Sequence, residues 1–214
     1  MDEELIIIDS STRREKIKNF LINNRKLLIS IIIVLILALF SFFSYQAYKD
    51  GHKDWLANKY NSAVNEIENV DKSNAISSMK EIIKDKDSTY SPLALYFLID
   101  NNLLDNKNEI NKLFDILINE TDVEPEIKNL LYYKKALYNS DQIKENELIK
   151  ILNPIINSES IWKSHALYLI AEFFYSNNER EKAKEFFNQI LILPNGNIDI
   201  KSESQKRLNR DLSE

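Results

Sequence analysis

Apolar and polar residues follow a helical rhythm through most of the chain, broken by one stretch that is apolar on every side. Between Lys26 and Lys49 lie 22 consecutive uncharged residues, and Leu27 to Phe43 is almost wholly Leu, Ile, Val and Phe. At about 1.5 Å per residue, Leu27 to Tyr45 spans roughly 28 Å as a helix, close to the ~30 Å hydrocarbon core of a bilayer. A buried helix of a soluble protein would carry polar residues every few positions; here only Ser30 and Ser41 interrupt the run. Tyr45 and Tyr48 fall where an interfacial aromatic belt is expected. A cleaved signal peptide is the rival reading, but its apolar region should measure about 7–15 residues and end in a small-x-small site. Ser44, Tyr45 and Gln46 before Ala47 make a poor site of that kind. The pattern therefore predicts an uncleaved anchor over residues 27–48, preceded by a basic tail over 1–26. Within the tail, Thr12 followed by Glu15 suggests a capping box. Ile17, Phe20, Leu21 and Leu28 suggest an apolar stripe, lying along the bilayer surface or serving as a docking site.

From residue 49 onward the period is helical and recurs. Candidate helix starts lie near Asp54, Tyr90, Glu124 and Ser160, and a second set lies near Lys72, Asn106, Glu145 and Glu179. A two-helix unit of about 34 residues is the tetratricopeptide period. The expected fold class is all-α: one N-terminal transmembrane helix, then a tetratricopeptide-like helical-hairpin solenoid over 49–212. Its units are placed at 54–88, 90–120, 124–157 and 160–193, with a capping helix at 198–212. The fourth unit fits best, with Leu167, Ile170, Ala171, Phe174, Ala183, Phe187 and Ile190 at relative positions 4, 7, 8, 11, 20, 24 and 27. Small Ala171 and Ala183 sit where paired helices approach closely. Ser176-Asn177-Asn178-Glu179 forms the corner, and Pro194 with Asn195-Gly196 ends the second helix. The earlier units carry the pattern more loosely.

Charge sets the expected orientation. Six Lys or Arg residues precede the apolar run (Arg13, Arg14, Lys16, Lys18, Arg25, Lys26), against Lys49, Lys53 and Lys59 after it. The positive-inside rule puts the N-terminus in the cytoplasm and the larger part on the other side. The net charge is −5, and residues 49–214 carry 22 basic against 28 acidic residues. Such a balance disfavours nucleic acid and anionic lipid as partners, because phosphate binding needs clustered positive charge. There is no Cys, which removes disulfides and thiol chemistry. Two Gly and four Pro leave little material for hairpins or phosphate loops.

No catalytic, cofactor or metal site is expected. His52 and His165 are the two histidines, 113 residues apart, without HExxH-type spacing. Acidic pairs such as Glu145 and Glu147 lie in charged surroundings unsuited to the separated pKa values of acid–base catalysis. No GxSxG, Walker or dinucleotide motif occurs.

The chain resembles bacterial inner-membrane tetratricopeptide-like proteins described as ancillary subunits of the Sec translocon, especially alphaproteobacterial members. The resemblance runs from the basic tail and single anchor into four divergent repeats. It is carried by SPLALYFLIDNNLL (Ser91 to Leu104), SIWKSHALYLIAEFFYSNNEREKAKEFF (Ser160 to Phe187) and the terminal helix. The lead Asp2-Glu3-Glu4-Leu5 and Thr12-Arg13-Arg14-Glu15 is similar to the family's acidic-then-basic start, with an inserted Leu-Ile-Ile-Ile stretch. The resemblance implies a periplasmic repeat domain beside the translocon, a bacterial inner-membrane location, and chaperones or exported chains as partners. It implies no catalytic residues.

A partner groove is the remaining candidate site. His165, Tyr168, Glu172 and Tyr175 form an i, i+3, i+7, i+10 stripe, and Tyr60, Tyr96, Tyr132 and Tyr168 recur every 36 residues. Tyrosine suits an adaptable groove because its apolar body ends in a polar tip. The alternative is that these rings pack. Tyr60, in line with Leu56, Ala63 and Ile67, is read as packing, and Tyr168 as groove-lining. The leading functional expectation is a non-catalytic module tethered beside the translocon, where tethering raises effective concentration. The alternative is a scaffold for envelope assembly or division without a role in secretion, and an anchored enzyme is the remote third.

Overall fold

A computed structural model describes residues 2–68 and 72–213, and the side chains of residues 2–12 and of residue 68 lie outside that description. Among the described residues there are ten helices and no strand. The chain divides into two compact units, Met1–Trp55 and Leu56–Glu214.

The first unit holds α1 (Asp2–Asn23) and most of α2 (Arg25–Glu68). The helix runs through Thr12, so Thr12 is no N-cap and the expected capping box does not form. The side chains of Thr12 and of the acidic lead lie outside the described residues. Asn24 interrupts the helix by one residue without breaking its bonds: its N–H donates to the Phe20 carbonyl at 3.0 Å, and its carbonyl accepts from Leu28 at 2.9 Å. Ile17, Phe20 and Leu21 of the tail stripe are half or more exposed. α2 is long and apolar enough to cross a membrane, and none of its most apolar window is covered by protein. Within it the Ser30 hydroxyl donates to the Lys26 carbonyl at 3.0 Å, a local bond that pairs the hydroxyl within its own helix. At its far end Tyr48 stacks near His52 (6.3 Å between ring centres), and His52 near Trp55 (5.5 Å). The expected helix start at Asp54 is absent. α2 continues through it, since Gly51 alone, without a proline or a capping side chain, costs a helix only about 1 kcal/mol.

The second unit begins with the last turns of α2 and continues through α3 (Lys72–Asp85), α4 (Tyr90–Asp100), α5 (Lys107–Asn119), α6 (Pro125–Asn139), α7 (Glu145–Ile156), α8 (Lys163–Ser176), α9 (Arg180–Ile192) and α10 (Ile198–Asp211). Consecutive helices pack on one another from α3 to α10, and α8 also touches α6 and α10. Starts of alternate helices are 35, 38 and 35 residues apart, both for α3, α5, α7, α9 and for α4, α6, α8, α10.

Local chemistry explains the corners. The Asn106 side chain caps α5 by accepting from the N–H groups of Asn108 (3.0 Å) and Glu109 (3.2 Å). Asn197 caps α10 in the same way, accepting from Asp199 and Ile200 at 3.0 Å each. Pro125 opens α6 at the position where its missing N–H costs nothing. Helix ends that commonly use glycine here use asparagine: Asn102 (φ 51°) and Asn178 (φ 61°) take the left-handed conformation. Each is followed by a residue whose N–H reaches back five positions, Leu103 to Leu98 and Glu179 to Phe174, both at 2.9 Å. At Gly196, whose φ is not positive, space is tight: a Cβ there would lie 3.1 Å from Leu193 Cβ and 3.3 Å from Ser164 Oγ and would displace the flexible end of Lys201.

The buried residues form two clusters. One runs from Leu56 to Leu131 and is centred on Met79, Ile82, Leu98 and Phe114. The other runs from Ala136 to Leu212 and is centred on Leu152, Ala171, Phe174 and Phe187. They meet within α6, where Tyr132 packs against both.

Candidate functional site

The fourth-unit stripe proves to be the seat of α10. Arg207 of α10 forms a fork on Glu172, Nε to Oε1 at 2.7 Å and Nη2 to Oε2 at 2.8 Å. Its remaining nitrogen Nη1 donates to Asp211 Oδ2 at 2.9 Å. The guanidinium carbon lies 5.0 Å from the centre of the Tyr175 ring. Tyr168 rests edge-on against Phe187 (5.6 Å). Burial first, then the Glu172 carboxylate, pushes its hydroxyl above the ordinary phenol range. Hydrogen bonds from Arg210 and Arg207 hold the Asp211 carboxyl well below the usual range. Tyr168, Glu172 and Tyr175, expected together in an open groove, are thus engaged with the last helix. Tyr168, read from the sequence as groove-lining, is partly buried here and also packs against Phe187.

His165 sits two turns before Glu172, near the start of α8, half-buried beside Trp162 (5.2 Å) and Tyr133 (5.9 Å). Its Nδ1 is buried without a hydrogen-bond partner. Desolvation lowers its pKa, the Ile161 backbone partly offsetting this. Tyr60 packs between Tyr90 (6.2 Å) and Phe97 (6.1 Å). Tyr132 fills the seam between the two clusters and lines a polar cleft of about 630 Å³ between α5, α6 and α7. There Asn111 and Asn139 exchange side-chain hydrogen bonds at 3.0 and 2.8 Å.

Tyr96 has the most distinctive surroundings of the six candidate residues. It lines an apolar cavity of about 230 Å³ between α4, α5 and α6, with Ile99, Phe114, Leu137 and Tyr138. Its hydroxyl is buried and has no hydrogen-bond partner. Burial, with a smaller effect from Asp100, pushes that hydroxyl far above the ordinary phenol range. The Lys134 ammonium lies 4.6 Å from the ring centre and 3.9 Å from the Asp100 carboxylate. Sequence reasoning named Tyr96 but missed Lys134, Leu137 and Arg207. A signal for the last existed: side chains about one helix-pair period apart touch throughout this unit, as Glu172 and Arg207 do at 35 residues and Glu126 and Ser160 at 34.

Among the described residues no group of His, Asp or Glu is placed to hold a metal ion. Fold and site together define an all-helical protein with one helix long and apolar enough to span a membrane near its N-terminus. Compared with known proteins, the chain matches no family model, no curated protein and no solved structure.

Proposed function

We propose that this protein is a non-catalytic interaction module of tetratricopeptide-like helix pairs, anchored in a bacterial inner membrane and facing the periplasm. In this reading it works beside the Sec translocon, binding exported chains or their chaperones. The observation that carries it is the combination of an uncovered apolar helix with helix pairs recurring at about 35 residues. An array of that period builds an extended surface for polypeptide, because each pair buries its apolar face only against its neighbours. The basic flank before the apolar helix supports the orientation.

Photocrosslinking in living cells from Phe40 in the anchor and Leu137 on the array tests this. Phe40 is expected to capture translocon subunits, and Leu137 exported chains or chaperones. Recovery from both positions of division or outer-membrane assembly proteins alone overturns the secretion role in favour of an envelope scaffold.

A further inference from the structure

Lys134, Leu137 and Tyr138 of α6 and Asp141 just beyond its C-cap border two cavities. On one side lies the 230 Å³ apolar cavity of Tyr96, large enough for one side chain of the size of Leu, Phe or Trp. On the other lies a cavity of about 430 Å³ against α8, floored by Ile143, Leu169 and Phe173 and edged by Asp141 and Glu172. Leu137, 48% exposed, lies beside the first. The first cavity is apolar apart from Asp100 and Lys134 at its edge, and the second mixes apolar and polar groups with exposed Asp141 at its edge.

The acids stand where folding alone would not put them. Asp100 is the last residue of α4, and Asp141 follows the C-cap of α6. Negative charge at a helix C-terminus opposes the macrodipole and costs roughly 0.3–1 kcal/mol. Neither α4, α6 nor α8 has a basic residue in its last turn to offset it. Glu172 is neutralised by its fork with Arg207, and Asp100 has Lys134 only at 3.9 Å. Asp141 is exposed and has no ion pair among the described residues. Asp141 is therefore left as an uncompensated negative charge just beyond the end of α6, in a unit with an acidic excess, while Lys134 beside Tyr96 and the Lys107 ammonium, 5.7 Å from the Tyr138 ring, are the cations nearby. Departures from local rules of this kind gather at functional sites.

We infer that this surface binds an extended polypeptide segment bearing a large apolar side chain, which fills the Tyr96 cavity, and a Lys or Arg that sits against Asp141. Neighbouring helix axes lie about 8–10 Å apart and an extended chain advances about 3.3 Å per residue, so the two side chains are about three residues apart. The apolar residue supplies affinity, and a peptide carbonyl or hydroxyl beside it satisfies the Tyr96 hydroxyl. The basic residue supplies selectivity, strengthened by the acidic excess of the whole unit. Anionic lipid has the wrong sign for this rim.

The inference rests on the proposed role as a binder of polypeptide. It is tested with the full-length protein in nanodiscs of zwitterionic lipid and fluorescein-labelled Gly/Ser peptides, read by anisotropy. The peptides carry Phe and Arg three residues apart, Phe and Glu, or Ala and Arg. The Phe/Arg peptide is expected to bind on the order of tenfold tighter than either of the others. Asp141→Lys should reverse the preference between Arg and Glu, and Leu137→Glu should weaken the Phe peptides. Tyr96→Phe should weaken binding severalfold, with helicity by circular dichroism unchanged in all three variants. Equal binding of the Arg and Glu peptides, no binding of any peptide, or a preference unmoved by Asp141→Lys overturns the inference. Crosslinks to exported chains without a basic–apolar preference defeat the inference and leave the secretion role. The preference without such crosslinks defeats the role and leaves the site.

Discussion

The two buried clusters of the helical array are built on the same helix-pair period and end up with different surfaces. The C-terminal cluster is closed where α10 covers it. Ala166, Ala171 and Ala183 are fully buried and let α8 and α9 approach. Phe174 and Phe186 stack at 5.5 Å, and α10 is bolted over the exposed side by Arg207. The N-terminal cluster is filled by longer aliphatic side chains and is open where it meets α6. Large rings from Tyr96, Phe114 and Tyr138 surround a cavity there. The three-residue excess in helix spacing falls between Pro125 and Glu145, the stretch that holds α6 and its corner. That is also where the core divides, between Leu131 and Ala136. Small residues and a terminal helix seal the α8–α9–α10 side of one half, whose remaining cavity lies by Ile143, Leu169 and Phe173, and a longer segment with bulky rings leaves an apolar cavity in the other.

The sharpest way to break this comparison is to overfill both halves. Ala171→Leu puts three extra heavy atoms into a site with no room, and overpacking of this kind costs about 1–3 kcal/mol. Leu137→Phe adds comparable bulk beside a cavity and is expected to change stability by less than about 0.5 kcal/mol. Urea denaturation of the two variants in the same detergent reads the difference. Equal losses would mean that the N-terminal half is as tightly closed as the C-terminal one.

Much of the fold was legible because it lies in short-range chemistry. The 22-residue uncharged run marks the membrane-spanning candidate, and Asn106 and Asn178 mark helix ends through a cap and a left-handed corner. The continuity of α2 through Asp54 was hidden, since the change from an uncovered apolar run to core-facing residues looks in sequence like a boundary although the backbone does not stop. The site was legible only in part. Tyr96 stood out by spacing, but its cavity depends on the meeting of α4, α5 and α6, which a period cannot reveal. Tyr168 has the same spacing and character, yet its face meets the last helix through a single arginine 39 residues on, which also stacks on Tyr175.

That arginine gives the next prediction. Arg207→Ala removes the fork to Glu172, the bond to Asp211 and the stacking on Tyr175, all partly exposed. Partial exposure limits the loss to about 1–2 kcal/mol. Hydrogen exchange should show it as faster opening of α10 and the last turns of α8, with α3 to α5 unaffected. Uniform acceleration across the array would instead mean that the two clusters unfold as one, and the contrast between a sealed half and an open one would lose its energetic meaning.

The smallest effect is the most discriminating. Tyr96→Phe leaves the ring, its contact with Lys134 and the cavity wall in place and removes only a hydroxyl that is buried without a partner. A buried polar group left unpaired is a cost to the folded state, so the variant is expected to be more stable, by about 0.5–1 kcal/mol. The same change is expected to weaken capture of an apolar–basic segment, since the hydroxyl then has nothing to offer an incoming peptide group. Stability gained together with binding lost is the signature of a site kept open at the expense of the fold. If Tyr96→Phe instead loses stability, the hydroxyl is already satisfied in the free protein, and the open half is held by a bond rather than waiting for one.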